Sequence, residues 1–219
     1  MVRMIIFANG TLPDERAARS LLREGDRLIA ADGGTRHLLA MGMLPEVVIG
    51  DLDSLDKESL AGLVAAGVEV EQYPEDKDET DLELALGYAL RKAPASILIM
   101  AALGGRLDQT VANLMLLTNP MLSGIDIRLD DGIEEVFFCS DQVEIEGNEG
   151  EIVSLIPWGM PVEGVTTRGL RWSLQDEMLY PYRSRGVSNR MITDRAAVTI
   201  RSGLLLVVHR RGGIRHAGG

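Results

Sequence analysis

Short apolar runs recur through the first 130 residues, at 4–8, 27–31, 47–49, 68–72, 96–102 and 125–129. Their length and branched or aliphatic content predict strands. Between them the apolar positions change to helical spacing, at 14–23, 35–41, 57–66, 81–92 and 108–117. Strand–helix alternation with short connections predicts an α/β fold, a mostly parallel sheet sandwiched by helices. Sheets of this kind take ligands in the crevice at the carboxyl ends of their strands. Near Asp130 the pattern changes. Runs at 136–140, 142–145, 152–157, 197–201 and 204–209 are separated by Gly and Pro, and no 3.6-residue pattern survives. They predict a smaller all-β sandwich or barrel. The expected division is therefore an α/β domain over 1–131 and an all-β domain over 132–219.

Composition narrows the function more than the fold. The chain of 219 residues is 46% hydrophobic with a mean hydropathy of +0.07, which suits a globular protein with a full core. No apolar run approaches the ~18 residues that would span a bilayer. The opening Met-Val-Arg-Met-Ile-Ile-Phe-Ala turns polar too soon for a signal peptide and reads as a first strand. One cysteine, Cys139, excludes an internal disulfide and a cysteine zinc site, so a cytoplasmic protein is expected. A formal charge of −11 argues against binding nucleic acid. Twenty-one of the 33 acids fall in residues 1–130, so any polyphosphate bound there needs a metal between two sets of negative charge. The three lysines, Lys57, Lys77 and Lys92, lie in no P-loop, and His-Glu-x-x-His, Gly-x-Ser-x-Gly and Gly-x-Gly-x-x-Gly are absent.

The acidic and glycine-rich clusters all follow predicted strands. Gly50-Asp51-Leu52-Asp53-Ser54 follows the third. On an extended segment two aspartates separated by one residue point to the same side. Mg²⁺ between them would relieve their repulsion, and a solvated turn with capping aspartates is the plainer alternative. Ala31-Asp32-Gly33-Gly34 follows the second strand. Its glycines allow backbone amides close to an anion at a helix start, while Asp32 is either a metal ligand or a cap. From Glu75 to Glu83 there are six acids and one lysine. Thr80 with Glu83 fits a capping box, but capping does not explain Asp76 and Asp78, and Lys77 among the acids suits a phosphate contact. After the fifth strand, Gly104-Gly105-Arg106-Leu107-Asp108-Gln109 offers a tight turn, a planar fork for phosphate and a helix start. In the all-β part Trp172 sits beside polar residues, where a cation or flat heterocycle would stack, with Val187-Ser188-Asn189-Arg190 the other unusual segment. His37, His209 and His216 are scattered and read as structural or exposed. The last residues, 210–219, are assigned no role.

Ala-Asp-Gly-Gly at 31–34, Gly-Asp-Leu-Asp-Ser at 50–54, Asp-Lys-Asp-Glu-Thr-Asp at 76–81 and Gly-Gly-Arg-Leu-Asp-Gln at 104–109 together resemble the thiamine pyrophosphokinase (thiamine diphosphokinase) family in order and spacing. Gly-Leu-Arg-Trp at 169–172 and Ser188-Asn189 resemble its thiamine-binding domain. The resemblance implies transfer of a pyrophosphoryl group from ATP to thiamine, giving thiamine diphosphate and AMP, by a homodimer that holds thiamine between subunits. By position it implies Asp32, Asp51, Asp53 and Asp81 around Mg²⁺, with Asp51, Asp53 and Asp81 catalytic. Asp32, Gly33, Gly34, Lys77, Asp78, Thr80, Arg106, Asp108 and Gln109 would lie about ATP, and Trp172, Ser188 and Asn189 would face thiamine. Arg190 stands where many bacterial members carry an acid. Either Asp51 or Asp81 would take the hydroxyl proton. Two other readings use the same residues: a Mg-dependent phosphohydrolase with a phosphorylated aspartate, and a non-catalytic nucleotide or thiamine sensor.

Overall fold

The computed structural model describes residues 2–212. The chain divides into two compact units, Met1–Gly132 and Ile133–Gly219.

In the first unit, β1 (Arg3–Phe7), β2 (Arg27–Ala31), β3 (Val47–Gly50), β4 (Glu69–Gln72), β5 (Ser96–Met100) and β6 (Asp126–Asp130) form parallel strands in the order β4-β3-β2-β1-β5-β6. The chain moves outward from β1 through β4, then returns to the other side of β1 for β5. The order therefore reverses between β1 and β5, the switch point at which such sheets open a crevice. β1 is buried over Met4, Ile5, Ile6 and Phe7 because both of its faces are covered. Ile5 and Phe7 share one face with Ala30, Val48, Leu98 and Met100, packed against Ala18 of α1 (Glu15–Ser20), Leu38 of α2 (Thr35–Ala40) and Leu63 of α3 (Lys57–Ala65). α4 (Asp81–Arg91) lies against β1, β2 and β3 with Leu82, Ala85, Leu86 and Ala89 buried. α5 (Leu107–Leu116) buries only Asn113, while Leu107, Val111 and Met115 are exposed.

The second unit is a sandwich of two antiparallel sheets. One has the order β12-β9-β14-β7, from β12 (Asn189–Arg190), β9 (Ile152–Pro157), β14 (Leu205–Arg210) and β7 (Glu134–Cys139). The other has the order β11-β10-β13-β8, from β11 (Glu177–Leu179), β10 (Val162–Arg168), β13 (Arg195–Thr199) and β8 (Gln142–Glu146). Alternate residues of both sheets meet in one core: Val153 and Leu155, Leu205 and Val207, Phe137 and Cys139, Ala196 and Val198. The sequence pattern does not predict β10. A register shift between Val162 and Val165 breaks its period of two. β11 and β12 are too short to carry a pattern. Among the described residues no helix is long and apolar enough to cross a membrane.

Candidate active site

A polar cleft of about 530 Å³ opens at the carboxyl ends of β1 and β5. Asn9, Gly10 and Thr11 line it after β1, and Gly104, Gly105 and Arg106 after β5. Gln109 and Asn113 of α5 close one side, and Lys77, Thr80 and Asp81 at the start of α4 close another. β5 stops because Ala101 turns left-handed at φ +54°. Gly104 and Gly105 follow at +75° and +74°, a pair of left-handed residues that only glycine adopts without strain. The buried Asn113 amide donates to the Ala102 carbonyl at 2.8 Å, fixing that loop from the helix side. The loop after β1 is fixed as firmly. The Gly10 N–H donates to the Ala101 carbonyl at 2.7 Å, the His37 ring meets the Gly10 carbonyl at 3.0 Å, and the Arg36 guanidinium holds Asn9. Sequence reasoning missed Asn9, Gly10 and Thr11. The available signal was an Asn-Gly pair directly after the first strand.

Three carboxylates converge beside this cleft. Ligand atoms of Asp32, Asp51 and Asp53 all lie within 4.8 Å of one another. Their convergence does not come from strand alternation, as the sequence reading expected. β3 ends at Gly50, and Leu52 is left-handed at φ +67° with its side chain buried, so a turn around an anchored leucine aims Asp51 and Asp53. Asp32, itself at φ +42°, is 3% exposed. Ser54 donates to its Oδ2 at 2.5 Å, and its Oδ1 has no hydrogen-bond partner among the described residues. Gly50 makes room for the group, because a Cβ there would lie 2.9 Å from the Asp32 Cβ and 3.0 Å from Asp81 Oδ1. Of the three only Asp32 is buried, Asp51 being half-buried and Asp53 exposed. Holding like charges this close to a buried carboxylate costs free energy unless a cation intervenes. An all-oxygen donor set with one buried oxygen unpartnered fits a hard divalent cation such as Mg²⁺.

Asp81 stands outside this triple and pairs with Lys77, whose Nζ lies 3.0 Å from Asp81 Oδ1 and 3.6 Å from Asp51 Oδ2. Burial raises the Asp81 pKa; Lys77 opposes the rise, and Asp51 and Asp32 add to it. Burial works against the charged Lys77, yet Asp81 and Asp51 outweigh it and hold its pKa above the ordinary value. Thr80 caps α4 by accepting the Glu83 N–H at 3.2 Å. Of the remaining candidates, Gly33 and Gly34 are buried, and their missing side chains admit Asn9 and the Phe7 carbonyl. Arg106 and Asp108 pair with each other at 2.5 Å, both largely exposed. Asp78 is exposed and does not line the cleft.

In the second unit Trp172 is 51% exposed, and the Arg171 guanidinium lies over its ring at 5.3 Å. The stacking cation is thus the chain's own. Ser188, exposed at φ +59°, donates its N–H to Ser154 Oγ at 3.0 Å. Asn189 lies buried against the Trp172 backbone. It is 3% exposed, its Oδ1 accepts the Trp172 N–H at 3.0 Å, and its Nδ2 donates to the Trp172 carbonyl at 2.7 Å. Its amide holds the peptide that carries the ring.

Comparison with known proteins agrees with both units. Residues 18–129 match the family model "Thiamin pyrophosphokinase, catalytic domain", and residues 141–205 match "Thiamin pyrophosphokinase, vitamin B1 binding domain". The chain belongs to the thiamin pyrophosphokinase family, a family of enzymes. It is 31% identical to thiamine pyrophosphokinase of Bacillus subtilis over 182 residues, covering 82% of this chain and 85% of that protein. It is 28% identical to thiamine pyrophosphokinase 1 of Oryza sativa subsp. japonica over 233 residues, covering 94% and 87%. The crystal structure of the Bacillus subtilis protein superposes with a TM-score of 0.86 at 28% identity, covering 96% of this chain and 99% of that one. Thiamin pyrophosphokinase from Candida albicans, at 15% identity, shares the fold with a TM-score of 0.80 over 96% and 90% of the two chains.

Proposed function

We propose that this chain transfers the pyrophosphoryl group of ATP to the hydroxyl of thiamine, giving thiamine diphosphate and AMP, with Mg²⁺ held by Asp32, Asp51 and Asp53. The observation that carries the reading is the carboxylate triple, with its unpartnered Asp32 oxygen, beside a polar cleft at the switch point of the sheet. A divalent cation there supplies neutralisation of phosphate charge. The protein's part is positioning, since phosphoryl transfer depends on alignment and electrostatics more than on covalent help. Lys77 and Arg106 bring positive charge to the cleft, Thr80 and Gln109 bring polar contacts, and Asp51 or Asp81 takes the hydroxyl proton. Thiamine belongs at Trp172, with Ser188 beside it and Asn189 behind it. The working form is a homodimer. Support for it comes from apolar side chains left in solvent in each unit: Leu107, Val111 and Met115 in one, Trp172, Tyr182, Val187 and Ile192 in the other. A single buried cysteine suits the reducing cytoplasm.

The test is a coupled assay for AMP. AMP formed from Mg–ATP only when thiamine is present supports the reading. Phosphate released without thiamine would point to a hydrolase, and thiamine binding without AMP would point to a sensor.

A further inference from the structure

Along β14 the core face carries Leu205, Val207 and then His209, which is fully buried. Its ring lies between two carboxylates, with Nε2 2.8 Å from Glu151 Oε2 and Nδ1 3.6 Å from Oε2 of Glu135 on β7. Arg211 in turn lies 3.5 Å from Glu135. A buried ionic group of this kind is weak support for stability, because an apolar residue would fill the slot without desolvating charge. What the cluster does hold is one turn. Glu151 accepts the Asn148 N–H at 3.0 Å, the Asn148 amide at 3.1 Å and the Gly212 N–H at 3.3 Å. The turn closes directly over the ring: a Cβ on Gly147 would fall 2.9 Å from His209 Nε2 and 2.8 Å from Met191 Sδ.

From that turn a backbone ladder leads to Trp172. The Glu151 carbonyl accepts the Met191 N–H at 2.9 Å, and the Met191 carbonyl accepts the Gly150 N–H at 2.9 Å. Arg190 donates from its side chain to the Gly150 carbonyl at 3.2 Å, and its own carbonyl accepts the Arg171 N–H at 2.8 Å. Next to it, Asn189 grips both sides of Trp172. We propose that His209 is a positioning residue for the Trp172 ledge, acting through Glu151 and the 150–151 to 190–191 ladder. The inference rests on the reading that thiamine is held at Trp172, and it assigns a role to a histidine that is fully buried.

The experiment uses the full-length chain with Trp158→Phe, which leaves Trp172 as its only tryptophan. His209→Gln and Glu151→Gln are made in that background. Thiamine is titrated against Trp172 emission, and kcat and both KM values are measured. We expect Kd and KM for thiamine to rise by about tenfold or more, the scale on which misplaced binding groups are felt, with KM for ATP unchanged. Folded variants that bind thiamine like the parent overturn the inference. So does an equal loss toward ATP and thiamine, or failure of both variants to fold, since either makes the cluster a stability element only. If the reading beneath it is wrong, the signature is different: the Trp158→Phe parent itself shows no thiamine-dependent change in emission, and the inference falls with the reading.

Discussion

Asp32 is buried in a left-handed conformation, with one carboxylate oxygen on Ser54, the other unpartnered among the described residues, and two further carboxylates within reach. On the proposed reading such a residue serves ligand binding at the expense of the empty fold. Asn keeps its shape, tolerates the left-handed region and removes one charge. With Mg²⁺ held as proposed, Mg²⁺ should raise the melting temperature of the parent. Asp32→Asn is expected to raise the melting temperature in EDTA and to abolish that Mg²⁺-dependent rise. Turnover should drop by about two orders of magnitude or more, the equivalent of ~3 kcal/mol of lost charge stabilisation. Differential scanning fluorimetry with and without Mg²⁺ reads the first effect, and the AMP assay the second. Gly50→Ala attacks the same group from behind, because its Cβ would crowd both Asp32 and Asp81 at φ +150°. It should cost activity with the carboxylates all present. At this scale the sequence marked the acids as candidates but not how they meet. Asp51 and Asp53 were legible as a pair, while the buried Leu52 that turns them together reads as an ordinary leucine. Asn9 and Thr11 carry no distinctive chemistry, and only the reversal of strand order brings them opposite Gly104.

Elements separate glycines that the sequence cannot. Gly62 in α3 and Gly87 in α4 have ordinary helical backbone and nothing within 4 Å of where a Cβ would be. Each change to Ala should stabilise the chain by about 0.5–1 kcal/mol. Gly34 starts a helix in the same chain, but its Cβ would run into the Phe7 carbonyl of β1, so Gly34→Ala should destabilise by about 1–3 kcal/mol. Urea midpoints of the three variants check the contrast. The His209 cluster gives the second unit a pH signature. Burial opposes charge on the ring, but Glu135 and Glu151 outweigh it and hold its pKa above 6.5. Its contribution is thus complete below about pH 6.5 and drains away as pH rises through the raised value. Burial would raise the Glu151 pKa, but hydrogen bonds from Asn148, His209 and Gly212 hold it below 4.5. That contribution is present above about pH 4.5 and is lost as pH falls through the lowered value. Melting temperature against pH should show a plateau between the two limbs. His209→Gln should remove the alkaline limb and, by taking away one of the hydrogen bonds on Glu151, shrink the acid limb as well. The first unit was legible element by element because each strand and helix there carries its own period. In the second unit the bulge in β10 and the brevity of β11 and β12 hid three strands, and with them the ladder that fixes Trp172.

At the scale of the molecule, charge and apolar surface pull in opposite directions. Each chain carries −11, so two copies repel, and more strongly at low salt. A stable dimer must therefore be held by buried apolar area. Leu107, Val111 and Met115 supply a stripe at four-residue spacing along α5, exposed at 77%, 41% and 59%. Three side chains fall well short of the roughly 800 Å² per partner of a standard interface. In a dimer the exposed apolar residues of the second unit, Trp172, Tyr182, Val187 and Ile192, would therefore have to contribute as well. From this balance follow the expected outcomes. Sedimentation should give twice the chain mass of 23.8 kDa. Added salt should tighten the dimer, where one built on ion pairs would loosen. Met115→Glu adds a charge at one end of the stripe and should move the equilibrium toward monomer, most at low ionic strength. Because the thiamine site is read as lying between subunits, the same variant should lose thiamine turnover in proportion to its monomer content, and regain it at high protein concentration. A Met115→Glu protein that sediments as a monomer at every concentration yet turns over thiamine normally would remove the subunit interface from the site.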